Sequence, residues 1–171
     1  MLEGVIVDEG AGRPEAEMVK VVFKLHQDET GWPPAGSERL WAVSLGDDLA
    51  RLDNVPFFVR GYAMGDVVRF ATDRAGVHWV QEAVRYSDNC TIRIMPGEGG
   101  GRDEVRQAVL DAFAPYGVTG EGIARFGMVA LNVPGAVDVA SVKKLLEEGE
   151  EDGRWEFEEG CVTEAWRTAG R

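Results

Sequence analysis

The chain is poor in the residues on which most enzyme and metal chemistry depends. Its 171 residues include two cysteines and two histidines. The cysteines, Cys90 and Cys161, stand far apart, which excludes a disulfide framework and the paired spacing of a zinc knuckle. No serine is flanked by the glycines of a nucleophile elbow. The sequence therefore predicts no catalytic residue, no metal site and no cofactor.

Long apolar runs are also missing. No stretch approaches the roughly 20 apolar residues that are needed to cross a bilayer. The first residues, MLEGVIVDEGAGRPEAEM, lack the basic and apolar regions of a signal peptide. Because of these absences and the small number of cysteines, we expect a cytoplasmic protein that does not contact a membrane.

Positive charge is scarce as well. The 18 lysines and arginines face 30 acidic residues, so the net charge is −12. A nucleic-acid-binding surface needs clustered cations that displace counterions from phosphates, so we expect no nucleic-acid partner. Residues 19–95 are nearly neutral, and the excess of acids lies toward the two ends of the chain. An acidic surface of this kind favours solubility, cation binding or a basic protein partner.

The first half of the chain has a regular strand pattern. VKVVFKLH and RLWAVSLG alternate apolar and polar residues, and shorter strand-like runs follow at residues 49–54, 67–70 and 77–86. Prolines and glycines mark the turns between these runs. Several short strands separated by turns predict a small antiparallel β-sheet or barrel.

The pattern changes at Cys90, where CTIRIMP predicts a strand. An apolar stripe at helical spacing follows, and GIARFGMVALNVP predicts another strand that pairs with a short one starting from Val118. Asp138 is a good N-cap for a second helix, and RWEFEEGCV predicts the last strand. The order strand, helix, two strands, helix, strand is typical of a ferredoxin-like split βαβ sandwich.

These patterns together predict an α+β protein with four parts. The parts are a flexible acidic tail (1–17), a small β-barrel-like domain (18–88), a ferredoxin-like α+β domain (89–165) and a C-terminal tail (166–171). The stretch LDNVPFFVRGYAMGDVVRF lies inside the first domain, where Pro56 ends a strand. We interpret this stretch as a structural connection in which Arg60 and Tyr62 are the two candidate functional residues.

Several of these segments resemble a known family. The most specific blocks are DNVPFF followed by GDVV, and LLEEGEEDGRWEFEEG near the end of the chain. From Val19 to Val162 the sequence resembles the bacterial domain-of-unknown-function family 4265. The resemblance implies that the two halves belong together, and it implies no activity or catalytic residue. In pattern, the second half is also similar to acidic bacterial proteins that inhibit ribonucleases by direct contact.

An acidic block near the C-terminus is the strongest candidate for a functional surface. Its members gather at a helix end, a turn and one face of a strand: Glu147, Glu148, Glu150, Glu151, Asp152, Glu156, Glu158 and Glu159. Negative charge at a helix C-terminus opposes the helix dipole and lowers stability. Charge runs are commonly no more than solvated faces, but a cluster like this can also steer a basic protein surface into place.

Two main hypotheses follow. The first is a non-enzymatic protein that binds a basic partner through the acidic block, in the manner of an immunity protein or antitoxin that covers a nuclease toxin. The second is a small-molecule binding protein or modest enzyme with a pocket at the junction of the two domains. That pocket would be lined by Arg60, Tyr62, His78 and Trp79. A purely structural accessory subunit is a third interpretation.

Overall fold

The computed structural model describes residues 15–170, which form two β-rich units. The first unit contains β1 (Met18–Lys24), β2 (Ser37–Gly46), β3 (Leu49–Leu52), β4 (Val67–Thr72) and β5 (His78–Arg85). The second contains β6 (Cys90–Pro96), α1 (Asp103–Phe113), β7 (Thr119–Ile123), β8 (Met128–Val133), α2 (Val139–Glu151), β9 (Trp155–Cys161) and α3 (Glu164–Thr168). The predicted α+β class is confirmed. Residues 1–14 of the predicted acidic tail lie outside the described residues.

The five strands of the first unit form a closed barrel, as the alternating pattern predicted. Neighbouring strands are antiparallel, except that β1 and β5 close the barrel in parallel, with Val21 opposite His78. Inward-facing residues of all five strands supply the core, because alternate side chains point to the same side of a strand. Between β2 and β3, Asp47 and Asp48 both have positive φ, 52° and 58°, which a tight hairpin turn of this kind requires.

The second unit is an antiparallel sheet with the strand order β7-β8-β6-β9. Buried residues of α1 and α2 share one hydrophobic core with the strands. Asp138 caps α2 as predicted, because its carboxylate accepts hydrogen bonds from the backbone N–H and the hydroxyl of Ser141. Within residues 15–170, no helix is both long enough and apolar enough to span a membrane.

The prediction that residues 166–171 form a tail is wrong. α3 contains the first three residues of this segment, and Trp166 lies completely buried in the core of the second unit. Burial of a large apolar side chain contributes about 1.5–3 kcal/mol, which is enough to hold a short helix in place. A five-residue helix is too short to show helical periodicity, so the sequence pattern did not predict it.

Gly149 lies where the helix α2 and the ring of Trp155 come closest. A Cβ atom at Gly149 would lie 2.1 Å from that ring. The indole nitrogen of Trp155 donates a hydrogen bond of 3.0 Å to the carbonyl of Leu146, which fixes the ring against the helix. The chain reverses later, at Gly153, whose φ is 71°. Gly149 is therefore required by packing and not by the helix end.

We expect Gly149→Ala to lower the free energy of unfolding by about 1–3 kcal/mol, the usual cost of overpacking. Helix propensity alone predicts the opposite sign, a gain of about 0.5–1 kcal/mol. The measurement is urea denaturation. Gly36→Ala is the matched control, because nothing lies within 4 Å of the added Cβ atom there. A Gly149→Ala protein that is as stable as the wild type would contradict the packing explanation.

Candidate functional site

Seven of the eight acids in the predicted block lie exposed on the second unit. Six of them come from the last turns of α2, the turn that follows it and the start of β9, and we call these six the acidic surface: Glu147, Glu148, Glu150, Glu151, Asp152 and Glu156. Two of them have weak, exposed ion pairs, Glu148 with Lys144 at 3.6 Å and Asp152 with Arg154 at 3.5 Å. Among residues 15–170, the other four carboxylates have no ion pair.

A groove lined by both apolar and polar residues adjoins the acidic surface. It has a volume of about 580 Å³ and is lined by Met95, Pro96, Gly97, Glu150, Gly153, Trp155, Glu156 and Phe157. The apolar members come from the paired ends of β6 and β9, where Met95 lies opposite Glu156. Two members of the acidic surface, Glu150 and Glu156, are exposed at this groove. Carboxylates and apolar side chains thus face the same space.

The structure places the other two acids of the block elsewhere. The Glu158 carboxylate lies between two arginines, 2.8 Å from Arg60 and 2.9 Å from Arg93. The Glu159 carboxylate accepts a hydrogen bond of 2.6 Å from the indole nitrogen of Trp166. Glu158 is therefore engaged at the junction, whereas Glu159 remains exposed with one of its oxygens hydrogen-bonded. Sequence alone could not separate Glu158 from the other acids, because its two arginine partners lie 98 and 65 residues away in the chain.

The predicted ligand pocket is not formed by the four residues proposed for it. His78 and Trp79 are consecutive residues of β5, so their side chains point to opposite faces of the strand. His78 Nδ1 lies 2.7 Å from the hydroxyl of Thr72, and its ring packs against Phe70. The indole nitrogen of Trp79 donates a hydrogen bond of 2.9 Å to Asp73 in the β4–β5 turn.

The other two residues proposed for that pocket, Tyr62 and Arg60, contact different parts of the protein. Tyr62 packs edge to face against Phe23, in the barrel, with ring centroids 4.7 Å apart. Burial raises the pKa of the Tyr62 hydroxyl. Arg60 instead points to Glu158 on β9. The prediction of one pocket lined by Arg60, Tyr62, His78 and Trp79 is therefore corrected.

A buried arginine organises the junction between the two units. The Arg93 side chain is 1% exposed and lies directly opposite Glu158 in the sheet. Besides that carboxylate, its guanidinium donates to the carbonyl oxygens of Val59 and Pro56, which belong to the connection between β3 and β4. The face of the second sheet opposite the helices is thus joined to the first unit through charged hydrogen bonds.

A buried glutamate holds the same connection from the barrel side. The carboxylate of Glu38, on β2, accepts backbone N–H hydrogen bonds from Phe57, Phe58 and Val59 at 2.6, 3.0 and 2.8 Å. Residues 56–59 therefore donate backbone hydrogen bonds to the Glu38 carboxylate of the first unit, and their carbonyl oxygens accept hydrogen bonds from the Arg93 guanidinium of the second unit. We call Glu38, Arg93 and residues 56–59 the clamp.

A third buried charge, Asp66, stabilises the end of this connection. Its carboxylate is almost completely buried and accepts hydrogen bonds from the backbone N–H of Ala63 and from the N–H and hydroxyl of Ser87. Asn89 adds a hydrogen bond of 2.7 Å to the carbonyl of Met64. These contacts confirm that LDNVPFFVRGYAMGDVVRF is a structural connection. They also show that it joins the two units.

A cleft does lie at the junction, but other residues line it. Its volume is about 450 Å³, and its walls include Gly61, Tyr86, Cys161 and Arg167. Tyr86 is 66% exposed, so one wall is an aromatic ring open to solvent. Asp66 also lines the cleft, but its carboxylate is already hydrogen-bonded as described.

Within residues 15–170, no group of three or more His, Cys, Asp or Glu side chains is arranged to hold a metal ion. Both cysteines are free thiols. Cys90 is buried beneath the helices, while Cys161 is partly exposed at the junction cleft. Burial raises the pKa of the Cys161 thiol to about 11. A thiol of this kind is a poor nucleophile at neutral pH, because the thiolate is the reactive form.

Comparison with known proteins places these features in a family. Residues 38–157 match the family described as "Domain of unknown function (DUF4265)". The chain belongs to the DUF4265 family. The segment shared with this family runs from Glu38 of the clamp, through the connection and Arg93, into β9, so it includes parts of both units. No curated protein matches the sequence.

One solved structure shares the fold of this DUF4265 protein. It is described as "Novel crystal structure of a hypothetical protein from Neisseria gonorrhoeae" and is 17% identical in sequence. The match covers 88% of this chain and 98% of the other, with a TM-score of 0.66. At this identity the likeness shows the fold alone. Because it extends over both units, the two-unit arrangement also occurs in that protein.

Alkylation of Cys161 by iodoacetamide should be slow at neutral pH and should accelerate steadily with pH, without a plateau below about pH 10, because its thiolate forms only near the raised pKa. The unfolded thiol has a pKa of about 8.5, so the unfolded chain loses this proton first, and stability should fall as pH rises above that value. Mass spectrometry of the labelled protein gives the rate. Cys161→Ala is the control, since the buried Cys90 should stay unlabelled. A rate that levels off near pH 8 would contradict the raised pKa.

Arg93→Met should lower the free energy of unfolding by about 1–3 kcal/mol, because the carbonyl oxygens of Pro56 and Val59 lose their buried donor, while Glu158 keeps its ion pair with Arg60. Arg69→Met is the matched control. Arg69 and its partner Glu82 are both exposed, and such pairs contribute at most about 1 kcal/mol. Guanidinium denaturation measures both values. Equal losses in the two variants would show that the clamp is no more important than a surface pair.

Proposed function

We propose that this DUF4265 protein is a non-enzymatic module that binds a basic protein partner through the acidic surface and the adjoining groove. The observation that supports this most directly is the position of Glu150 and Glu156 at a groove of about 580 Å³ that is also lined by apolar residues. Protein interfaces commonly combine an apolar centre with a polar rim. The apolar centre would be Met95, Pro96 and Phe157.

The charges of the acidic surface support a cationic partner. α2 has no basic residue in its last turn, where the helix dipole already places partial negative charge. Among residues 15–170, Glu147, Glu150, Glu151 and Glu156 have no ion pair that offsets their mutual repulsion. A basic surface would remove this repulsion on binding, and the field of the acids would speed its association.

The most specific form of the proposal is an immunity or antitoxin-like inhibitor. In this form, the acidic surface covers the cleft with which a nuclease toxin binds nucleic acid, and the carboxylates take the places of phosphates. The net charge of −12 supports this form, since it also disfavours direct binding to nucleic acid. The partner is then a basic protein, and no nucleic acid takes part in the complex.

The proposal also includes the fold type of the second unit and the cellular location of the protein. We infer that the second unit is a ferredoxin-like split βαβ sandwich, which is supported by the strand order β7-β8-β6-β9 and by the helices that follow β6 and β8. We propose a bacterial, cytoplasmic protein. Two free thiols are typical of a reducing compartment, and the fold occurs in a protein of Neisseria gonorrhoeae.

A second candidate function is supported by the junction cleft. A small-molecule binding protein or modest enzyme with its site at the junction would use the volume of about 450 Å³ beside Tyr86 and Arg167. Pockets at the meeting of two units are common ligand sites. A metabolite that raises the melting temperature, and loses this effect in Tyr86→Ala, would favour this candidate over protein binding.

The test of the protein-binding proposal begins with the immobilised protein and lysate from its own cells, at low and moderate salt. A retained basic protein is then purified, and its affinity is measured by calorimetry. We expect Glu150→Lys with Glu156→Lys to weaken binding by at least about tenfold and to reduce its salt dependence, because rim charges act through screened Coulomb attraction. Glu158 is left unchanged because it belongs to the junction.

The matched control carries the same change in charge on α1, Glu104→Lys with Asp111→Lys. Both of these residues are exposed. This control should keep its affinity to within about twofold, since it leaves the acidic surface intact. Equal weakening in the two double variants would mean that only net charge matters. Unchanged affinity in both would exclude the acidic surface as the contact site.

A further inference from the structure

A cleft at the opposite end of the barrel from the β4–β5 turn collects positive charge. Its volume is about 270 Å³, and it is lined by Lys24, Leu25, His26, Pro33, Phe58, Val59 and Arg60. Three of these side chains are basic, although the protein carries a net charge of −12. We call this space the cationic cleft. It is separate from the acidic surface and from the junction cleft, and it shares no lining residue with either.

One cation of the cleft is not offset by a nearby carboxylate. The negative charges of Glu38 and Glu158 offset the positive charges of Arg93 and Arg60. Lys24 is exposed and has no ion pair among residues 15–170. An uncompensated ammonium group beside apolar side chains favours the approach of an anion.

Arg60 supplies further donors to the cleft. Its side chain is 65% exposed, and one of its N–H groups donates to Glu158 at 2.8 Å. A guanidinium has five N–H groups. Among residues 15–170, the other four have no hydrogen-bond partner. Arg60 is therefore fixed at one corner while its other donors remain available to a carboxylate or a phosphate.

The floor of the cleft is apolar and aromatic. Leu25 is buried, and the ring of Phe58 lies edge to face against Trp32 and Phe126, with centroid distances of 5.7 and 5.3 Å. Trp32 is 41% exposed, so the aromatic surface continues out to solvent. Aromatic rings packed in this way offer an edge or a face to another ring.

Both walls of the cleft are held in place before any ligand arrives. The backbone N–H groups of Phe58 and Val59 are bound by Glu38 in the clamp. On the other wall, Asp28 accepts a hydrogen bond from the backbone N–H of Trp32, and the side chain of Gln27 donates to the carbonyl of Pro33. A preformed site loses less conformational entropy when a ligand binds.

We propose that the cationic cleft binds a small anion, a carboxylate or phosphate carried on an aromatic ring. Lys24 and Arg60 would hold the anionic group, and the ring would lie against Phe58 and Pro33. The cleft is slightly smaller than the roughly 300 Å³ at which sites for drug-sized ligands begin. A single ring with a short acidic chain is therefore the expected size of ligand.

The experiment uses phenylacetate and phenyl phosphate as probes, with phenylacetamide as the neutral analogue. Each is titrated to millimolar concentration into the full-length ¹⁵N-labelled protein. We expect the backbone amide signals of Leu25, His26, Val59 and Arg60 to shift with at least one anionic probe. The affinity of phenylacetamide should be at least about tenfold weaker, because it lacks the charge. The stronger of the two anions identifies the preferred head group.

Two variants then distinguish binding in the cationic cleft from an effect of net charge alone. Lys24→Glu should weaken the affinity for the anionic probe by at least about tenfold, because it reverses the uncompensated charge. Arg74→Glu is the matched control, since Arg74 is exposed in the β4–β5 turn and does not line the cleft. It should keep the affinity to within about twofold. The proposal is overturned if neither anion shifts these amides, if phenylacetamide binds as tightly, or if both variants weaken binding equally.

Discussion

The structure depends on the way in which residues 56–59 are hydrogen-bonded from two sides. Their N–H groups donate to Glu38 of the barrel, and their carbonyl oxygens accept from Arg93 of the second sheet. Buried backbone groups need partners, and this short segment obtains them from charged side chains of different units. Separation of the units would leave a guanidinium, a carboxylate and several peptide groups without partners, so the two units behave as one body.

This constraint also decides which charges are left for function. Glu158 lies opposite Arg93 in the sheet and forms ion pairs with both Arg93 and Arg60. Its negative charge therefore offsets the arginines at the junction and does not contribute to the acidic surface. The helices cover one face of the second sheet and the connection meets the other. A partner can therefore reach the second unit at the end of α2 and the start of β9, where the remaining acids are exposed.

Much of the fold could be predicted from local patterns, because alternation and helical stripes report which side chains are buried. The barrel, the antiparallel second sheet and the Asp138 cap follow from such patterns. The clamp does not. Glu38 and Arg93 are charged residues within strands, and the sequence pattern predicts that such residues face water. A charged residue that instead faces a buried partner from a distant part of the chain gives the same pattern. The acidic surface was predictable as a run of charge, whereas the engagement of Glu158 at the junction depends on Arg60 and Arg93, which are distant in sequence.

The acidic surface and the cationic cleft differ in how strongly solvent screens their charges. The acids of α2 lie in water, where salt at physiological strength screens charges over about 8 Å. The cationic cleft instead has an apolar floor and a guanidinium already anchored to a half-buried carboxylate, where screening is weaker. Contacts at the acidic surface should therefore contribute mainly to the rate of association, and contacts in the cleft mainly to the lifetime of a bound ligand. The chain thus presents two surfaces of opposite charge, and Glu38 and Arg93 hold in place the backbone of Phe58 and Val59, which line the cationic cleft.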